Sequence, residues 1–263
     1  ISYAFAIGYN QVANFNRRTQ FSTYNPSSSI TDFFAGLAAG TPYNTVFNDD
    51  NTTWSGLALG AGIIDTSGVD GNWVGAAPGG QVTQDLDLIE SGRINEWTLS
   101  LAGNINRKLY IGTTIGIRSL RYDSDFTFDE FDRDNVYSSH FNDSIPINDL
   151  RFTDVYGVRG TGFNLNLGII ARPIDAVRIG LSFQTPTWYS MSDEYVSEIT
   201  STFDNDNTIY GLQPLNGVFT YNLTTPWRVT VGAMGLIGKM GFLSADFEYL
   251  DYSRGQFRSD VSP

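Results

Sequence analysis

The chain of 263 residues carries a net charge of −12, with 16 basic against 28 acidic side chains and a pI near 4.3, which argues against a nucleic-acid partner because phosphate binding needs a basic face. The absence of cysteine removes disulfides and thiolate metal sites, and the single histidine, His140, sharply limits histidine catalysis and multi-histidine metal centres. An aromatic content of 14% together with 27 glycines suggests strands and turns rather than helices.

The first element reads as a strand directly from the N-terminus, with no basic leader segment before it. Tyr3, Phe5, Ile7 and Tyr9 alternate with Ala4, Ala6, Gly8 and Asn10. A long excursion follows, roughly 14–92. Within it, Ser29 and Asp32 resemble a helix start, and Phe33, Phe34, Leu37 and Ala38 recur at helical spacing, with Gly40 as a stop. A second apolar segment, 54–64, is interrupted by Gly56, Gly60 and Gly62, and 65–80 is Gly-rich and turn-like. Trp97, Leu99, Leu101 and Ile105 then share one face of a strand. After a tight turn at 106–108, Ile111, Ile115 and Ile117 do the same.

The stretch 122–150 reads as a second excursion. Its acidic run, Asp123 to Asp134, lacks the central Gly and terminal Glu of a calcium loop, so a solvated acidic loop is the favoured reading. His140 falls in the same excursion beside Asn142 and Asp143, with no paired nucleophile. Phe163, Leu165, Leu167 and Ile169 mark the next strand, and a tight turn at 173–176 leads to Val177, Ile179, Leu181 and Phe183. A third excursion spans 186–226, where Pro186 and Pro226 mark the start of strands. Val229, Val231 and Ala233, a turn at 238–240, and Leu243, Ala245, Phe247 and Tyr249 complete the pattern.

Alternation also occurs in soluble sandwiches, but two features favour a membrane. The polar face is Gly, Ala, Ser, Thr and Asn, which suits a lumen, and short turns alternate with long excursions as in outer-membrane barrels. Tyr and Trp at strand ends fit interfacial girdles, and no apolar run reaches the ~20 residues of a membrane-spanning helix. The expectation is an all-β, antiparallel up-and-down transmembrane β-barrel. About seven spanning strands fall in one domain over 1–263, with a large extracellular insertion at 15–91. An open sheet edge in lipid is not viable, so further chain or partner strands would complete the barrel.

The ordered series Tyr9-Asn-Gln-Val-Ala-Asn-Phe-Asn16, Asn95-Glu-Trp97, Leu109-Tyr-Ile-Gly-Thr-Thr-Ile-Gly116, Gly162-Phe-Asn-Leu-Asn-Leu-Gly168, Arg172-Pro173, Arg178-Ile-Gly180, Thr185-Pro-Thr-Trp-Tyr189, Leu223-Thr-Thr-Pro-Trp227 and Asp246-Phe-Glu-Tyr-Leu-Asp-Tyr252 resembles the FadL/TodX-type outer-membrane transport family, in its Bacteroidota branch. That resemblance implies a fourteen-stranded barrel, an N-terminal hatch, a lateral exit and passive uptake of long-chain fatty acids or other hydrophobic compounds. No hatch segment is seen before Ile1, nor the final strands after Pro263. Some relatives serve in protein secretion, so membership does not fix the substrate.

Two groups of residues are candidate sites. Phe33, Phe34, Leu37, Trp54, Leu57, Leu59, Ile63 and Ile64 offer either a docking groove for an apolar ligand or the loop's own small core. Among lumen-facing charges, Glu96, Arg118 and Arg228 fall towards the outer side, Asp246 and Glu248 lie deeper, and Arg178 sits near the periplasmic turn. An arginine could hold a ligand carboxylate, and mutual ion pairing is the favoured alternative. The expected partners are outer-membrane lipid and a hydrophobic small molecule. A structural barrel holding an envelope protein is the other reading. No catalytic residue, metal site or cofactor is assigned.

Overall fold

The computed structural model describes residues 1–48, 52–137, 146–204, 206–238 and 240–259, with the backbone alone at 206–207. His140, Asn142 and Asp143 lie outside the described residues. The chain is predominantly antiparallel β. In chain order the strands are β1 (Ser2–Asn14), β2 (Arg17–Asn25), β3 (Ile64–Thr66), β4 (Trp73–Gly75), β5 (Val82–Ile105), β6 (Leu109–Phe131), β7 (Ile147–Ile174), β8 (Val177–Gln184), β9 (Trp188–Phe203), β10 (Asp206–Gly211), β11 (Leu215–Thr224), β12 (Arg228–Ile237), β13 (Gly241–Leu250) and β14 (Gln256–Ser259). Helices α1 (Ile30–Ala38), α2 (Tyr43–Asn48) and α3 (Trp54–Gly60) lie between β2 and β3.

All strands except the small β3–β4 hairpin join one twelve-stranded curled sheet. The sheet has two tiers. The lower tier, next to the tight turns, runs β1-β5-β6-β7-β8-β12-β13, the seven segments whose alternation the sequence displays. The upper tier continues through β2, β5, β6, β7, β9, β11 and β14. Strands β5, β6 and β7 cross both tiers without interruption, whereas Pro186 separates β8 from β9 and Pro226 separates β11 from β12.

The expected long excursions are therefore corrected. Only 26–81 is a large insertion. The stretch 122–150 carries the end of β6 and the start of β7, 186–226 carries β9 to β11, and the acidic run is strand rather than loop as far as Phe131. The period of two persists through these segments, but the hydrophobic set changes sides. In β6 the lower apolar residues Ile111, Ile115 and Ile117 are exposed on the outward face, while above them Leu120, Tyr122, Phe126 and Phe128 turn inward. The β5–β6 register is continuous through this point, so no bulge produces the change. In β7 the switch lies between Val158 and Phe163, and in β5 between Leu88 and Trp97.

The upper outward face is charged instead. Arg18 pairs with Asp87 at 2.6 Å, Arg151 with Asp129 at 2.6 Å, and Arg121 with Asp123 at 2.8 Å. Its inward face packs against the 26–81 insertion. Phe34 meets Phe152 edge-on at 5.5 Å, Trp54 meets Phe152 at 5.4 Å, and the Trp54 indole donates to Ser197 Oγ at 3.1 Å. The core gathers Phe34, Leu57, Ile63 and Ile64 with Leu150, Phe152 and Ile199. Ser29 caps α1 with a complete capping box through Asp32, as its spacing predicts. The second apolar segment begins as helix α3, capped by Thr53, despite the glycines that interrupt it.

Candidate functional site

A trough of about 690 Å³ opens on the inward face of the lower tier. Its lining is dominated by small residues that meet in register: Ala4, Ala102, Gly112 and Gly168 form one lateral row. Alternating strands must present every second side chain to this face, and keeping those side chains small leaves open space. Asp246 is the charged side chain on its lining among the described residues, and it lies across Gly232, where a Cβ would collide with its carboxylate.

A polar layer closes the upper end. Arg118 Nε donates to Glu96 Oε1 at 2.7 Å, Asn164 Nδ2 donates to the same oxygen at 3.2 Å, and Arg118 Nη1 donates to Thr187 Oγ1 at 3.3 Å. Asn164 and Thr187 are fully buried. Thr187 is placed by the two proline breaks: its N–H donates to Thr225 Oγ1 at 2.8 Å, and the Thr225 N–H returns to Thr187 O at 3.0 Å. Tyr189 lies across Gly162, whose absent Cβ would stand 2.6 Å from the ring. Gly116 makes room for Asn164 in the same way. Glycine here admits side chains that cross the sheet face.

Above this layer is an aromatic one, with Leu120, Tyr122, Tyr156, Val158, Met191 and Tyr221 clustered on the inward face. The Tyr122 hydroxyl donates to Glu90 at 2.8 Å and that of Tyr156 to Asp193 at 2.5 Å. Burial first, then the bond to Asp193, pushes the Tyr156 hydroxyl well above the usual tyrosine range. Glu130 lies higher still, where Ser29 Oγ donates to it at 2.5 Å, Ile30 N at 2.8 Å and Gln84 Nε2 at 2.6 Å. Burial raises its pKa despite those three donors, with Asp32 adding to the rise.

The candidate residues separate accordingly. Glu96 and Arg118 face each other in one ion pair, and Arg228 and Glu248 form a second at 3.3 Å. Arg178 donates to Met234 Sδ at 3.3 Å and is not joined to Asp246. In the insertion, Phe34, Leu57, Ile63 and Ile64 are buried and Trp54 is half-buried, while Phe33 and Leu37 remain 49% and 47% exposed. The sequence reading missed Asn164, Thr187 and Glu130, and Tyr122 and Tyr189, expected with the strand-end aromatics at the interfacial girdle, turn inward instead. Gly162 and Gly116, each opposite a crossing side chain, are the traces of this layer in the sequence. Among the described residues no group of three or more His, Cys, Asp or Glu could hold a metal ion.

The outward face has a boundary of its own. Tyr9, Trp97, Ile117, Phe163 and Trp188 are register partners in one row, with Tyr9–Trp97 and Phe163–Trp188 ring centroids 4.9 and 5.1 Å apart. Trp227 carries the band onward, 5.5 Å from Tyr249. Below the row the face is apolar; above it come Asn95, Ser119, Thr161 and Ser190, and then Arg93, Arg121 and Arg159. No family model, curated protein or solved structure matches the chain.

Proposed function

We propose that this chain forms part of an outer-membrane β-barrel that passes hydrophobic compounds, long-chain fatty acids among them, along the trough. The observation that carries the reading is the exchange of apolar faces at the aromatic row. Below it, exposed Phe5, Leu101, Ile115 and Phe247 form an apolar outer surface around a small-residue interior. Trp97 to Ile105 covers roughly nine residues, which suits the ~9–11 that a tilted strand needs to cross a bilayer. A water-soluble sheet has no physical reason to turn its large apolar side chains outward over that depth alone. The resemblance to the FadL/TodX-type family supports the same substrate class.

In this reading a ligand meets exposed Phe33 and Leu37 on the insertion and then passes the aromatic cluster. The Glu96–Arg118 layer must part before it reaches the trough. No cofactor is required. The test is mass spectrometry of organic extract from the purified protein beside an unrelated barrel. Selective enrichment of a fatty acid or another apolar compound is the expected result, and Phe33→Asp with Leu37→Asp should reduce it. An extract matching the control would overturn transport in favour of the partner-binding reading.

A further inference from the structure

We infer that a polar recess beside a bulge in β1 holds the anionic headgroup of a membrane lipid. The inference rests on the membrane reading above. The β1–β5 register shifts between Gln11 and Ala13, and the chain then leaves β1 at Asn14. The displaced backbone opens a recess of about 320 Å³ on the outward face, lined in part by Gln11, Asn14, Asn16, Arg93, Arg121 and Asp123.

The recess is built from donors. Asn16 Oδ1 accepts the Gly92 N–H at 3.0 Å, and Asn14 Oδ1 accepts the Asn16 N–H at 2.9 Å. With both carbonyl oxygens taken by backbone N–H groups, the two amide NH₂ groups are left as donors, and neither has a partner among the described residues. Arg93 likewise makes no ion pair or side-chain hydrogen bond among the described residues. Gln11 and Ser91 add neutral acceptors to the lining, and its anionic group, the Asp123 carboxylate, is already taken by Arg121 at 2.8 Å and Arg159 at 2.5 Å. Two of the three guanidiniums in this row thus share one carboxylate, and Arg93 is left over among the described residues. The next outward acids are Glu194, two strands along in the row of Asp123, and Asp125, one row further up.

Position selects the ligand. Arg93 stands four residues above Trp97 on the same face of β5, about 13 Å along the strand at ~3.3 Å per residue. A strand tilt of about 40° reduces that to roughly 10 Å of height above the rings, which mark the headgroup level, and a long arginine side chain reaches back from there toward the lipid phosphates, above an apolar face that acyl chains can cover. A guanidinium binds phosphate bidentately, and the two amides add neutral donors. Free phosphate has the same chemistry, and only a lipid also gains the apolar face below.

The experiment is native mass spectrometry of the full chain in detergent with phosphatidylglycerol or phosphatidylcholine of identical acyl chains, alongside flotation with phosphatidylcholine liposomes. Expected is a preference for phosphatidylglycerol of about tenfold, falling within about twofold of parity in Arg93→Gln and unchanged in Arg18→Gln. Both variants should float like the parent, since each side chain is exposed. A preference that survives Arg93→Gln overturns the site while the membrane reading stands. Displacement of the lipid by equimolar inorganic phosphate overturns it in favour of a free anion. Failure of the parent itself to float removes the membrane reading and the site together.

Discussion

At the scale of single residues, Glu130 joins the insertion to the sheet. Its carboxylate receives the Ser29 hydroxyl, the Ile30 N–H and the Gln84 amide in a buried place. Because burial holds its folded pKa above the ordinary glutamate value, the folded state binds the proton more tightly than the unfolded chain. Stability should therefore fall as pH rises from about 4.3 through the raised folded value. Glu130→Gln, which keeps an acceptor oxygen for two donors, should abolish that slope in a series of thermal melts across pH. Glu130→Ala should instead lower stability by roughly 1–3 kcal/mol by leaving donors buried without a partner, and denaturant titration would show it. The capping box of α1 was legible because Ser29 and Asp32 stand three residues apart. Glu130, 101 residues from Ser29, leaves no local signal.

At the scale of elements, the alternation in the lower tier was legible because its large residues stand on one parity against a small-residue face. The upper continuations of β5, β6 and β7 were not. Above the boundary the apolar residues move to the other parity, and Asp85, Asp87, Asp123, Asp125 and Asp129 occupy the outward positions, so the composition imitates a solvated loop. Hydrogen exchange separates the two descriptions: amides from Ser119 to Phe128 should be protected to a degree comparable with Thr113 to Arg118. Exchange at the rate of unstructured peptide would contradict the paired strand. The proline breaks carry a second expectation. Thr225→Val removes the side-chain acceptor for the buried Thr187 N–H and should cost about 1–3 kcal/mol in a denaturant titration. It should also loosen the contact of Thr187 with Arg118.

At the scale of the whole molecule, the two faces of the lower tier should respond oppositely to charge. Leu101 is 55% exposed on the outward face, and its neighbour Ala102 lines the trough. On the proposed membrane reading, Leu101→Arg should weaken bilayer insertion by ~2–4 kcal/mol near mid-depth, whereas Ala102→Arg should insert and narrow the trough; liposome flotation and solute flux measure the two effects separately. The 26–81 insertion packed on the upper tier has a simple attachment. Asn25 and Val82 are register partners at the ends of β2 and β5, so the chain departs from the sheet and rejoins it at neighbouring positions. In topology the insertion is an overgrown hairpin turn. It is thus a cassette, exchangeable for a short turn or for a foreign loop without breaking a rung of the ladder beneath, and the sheet can keep its plan while the insertion it carries is rewritten.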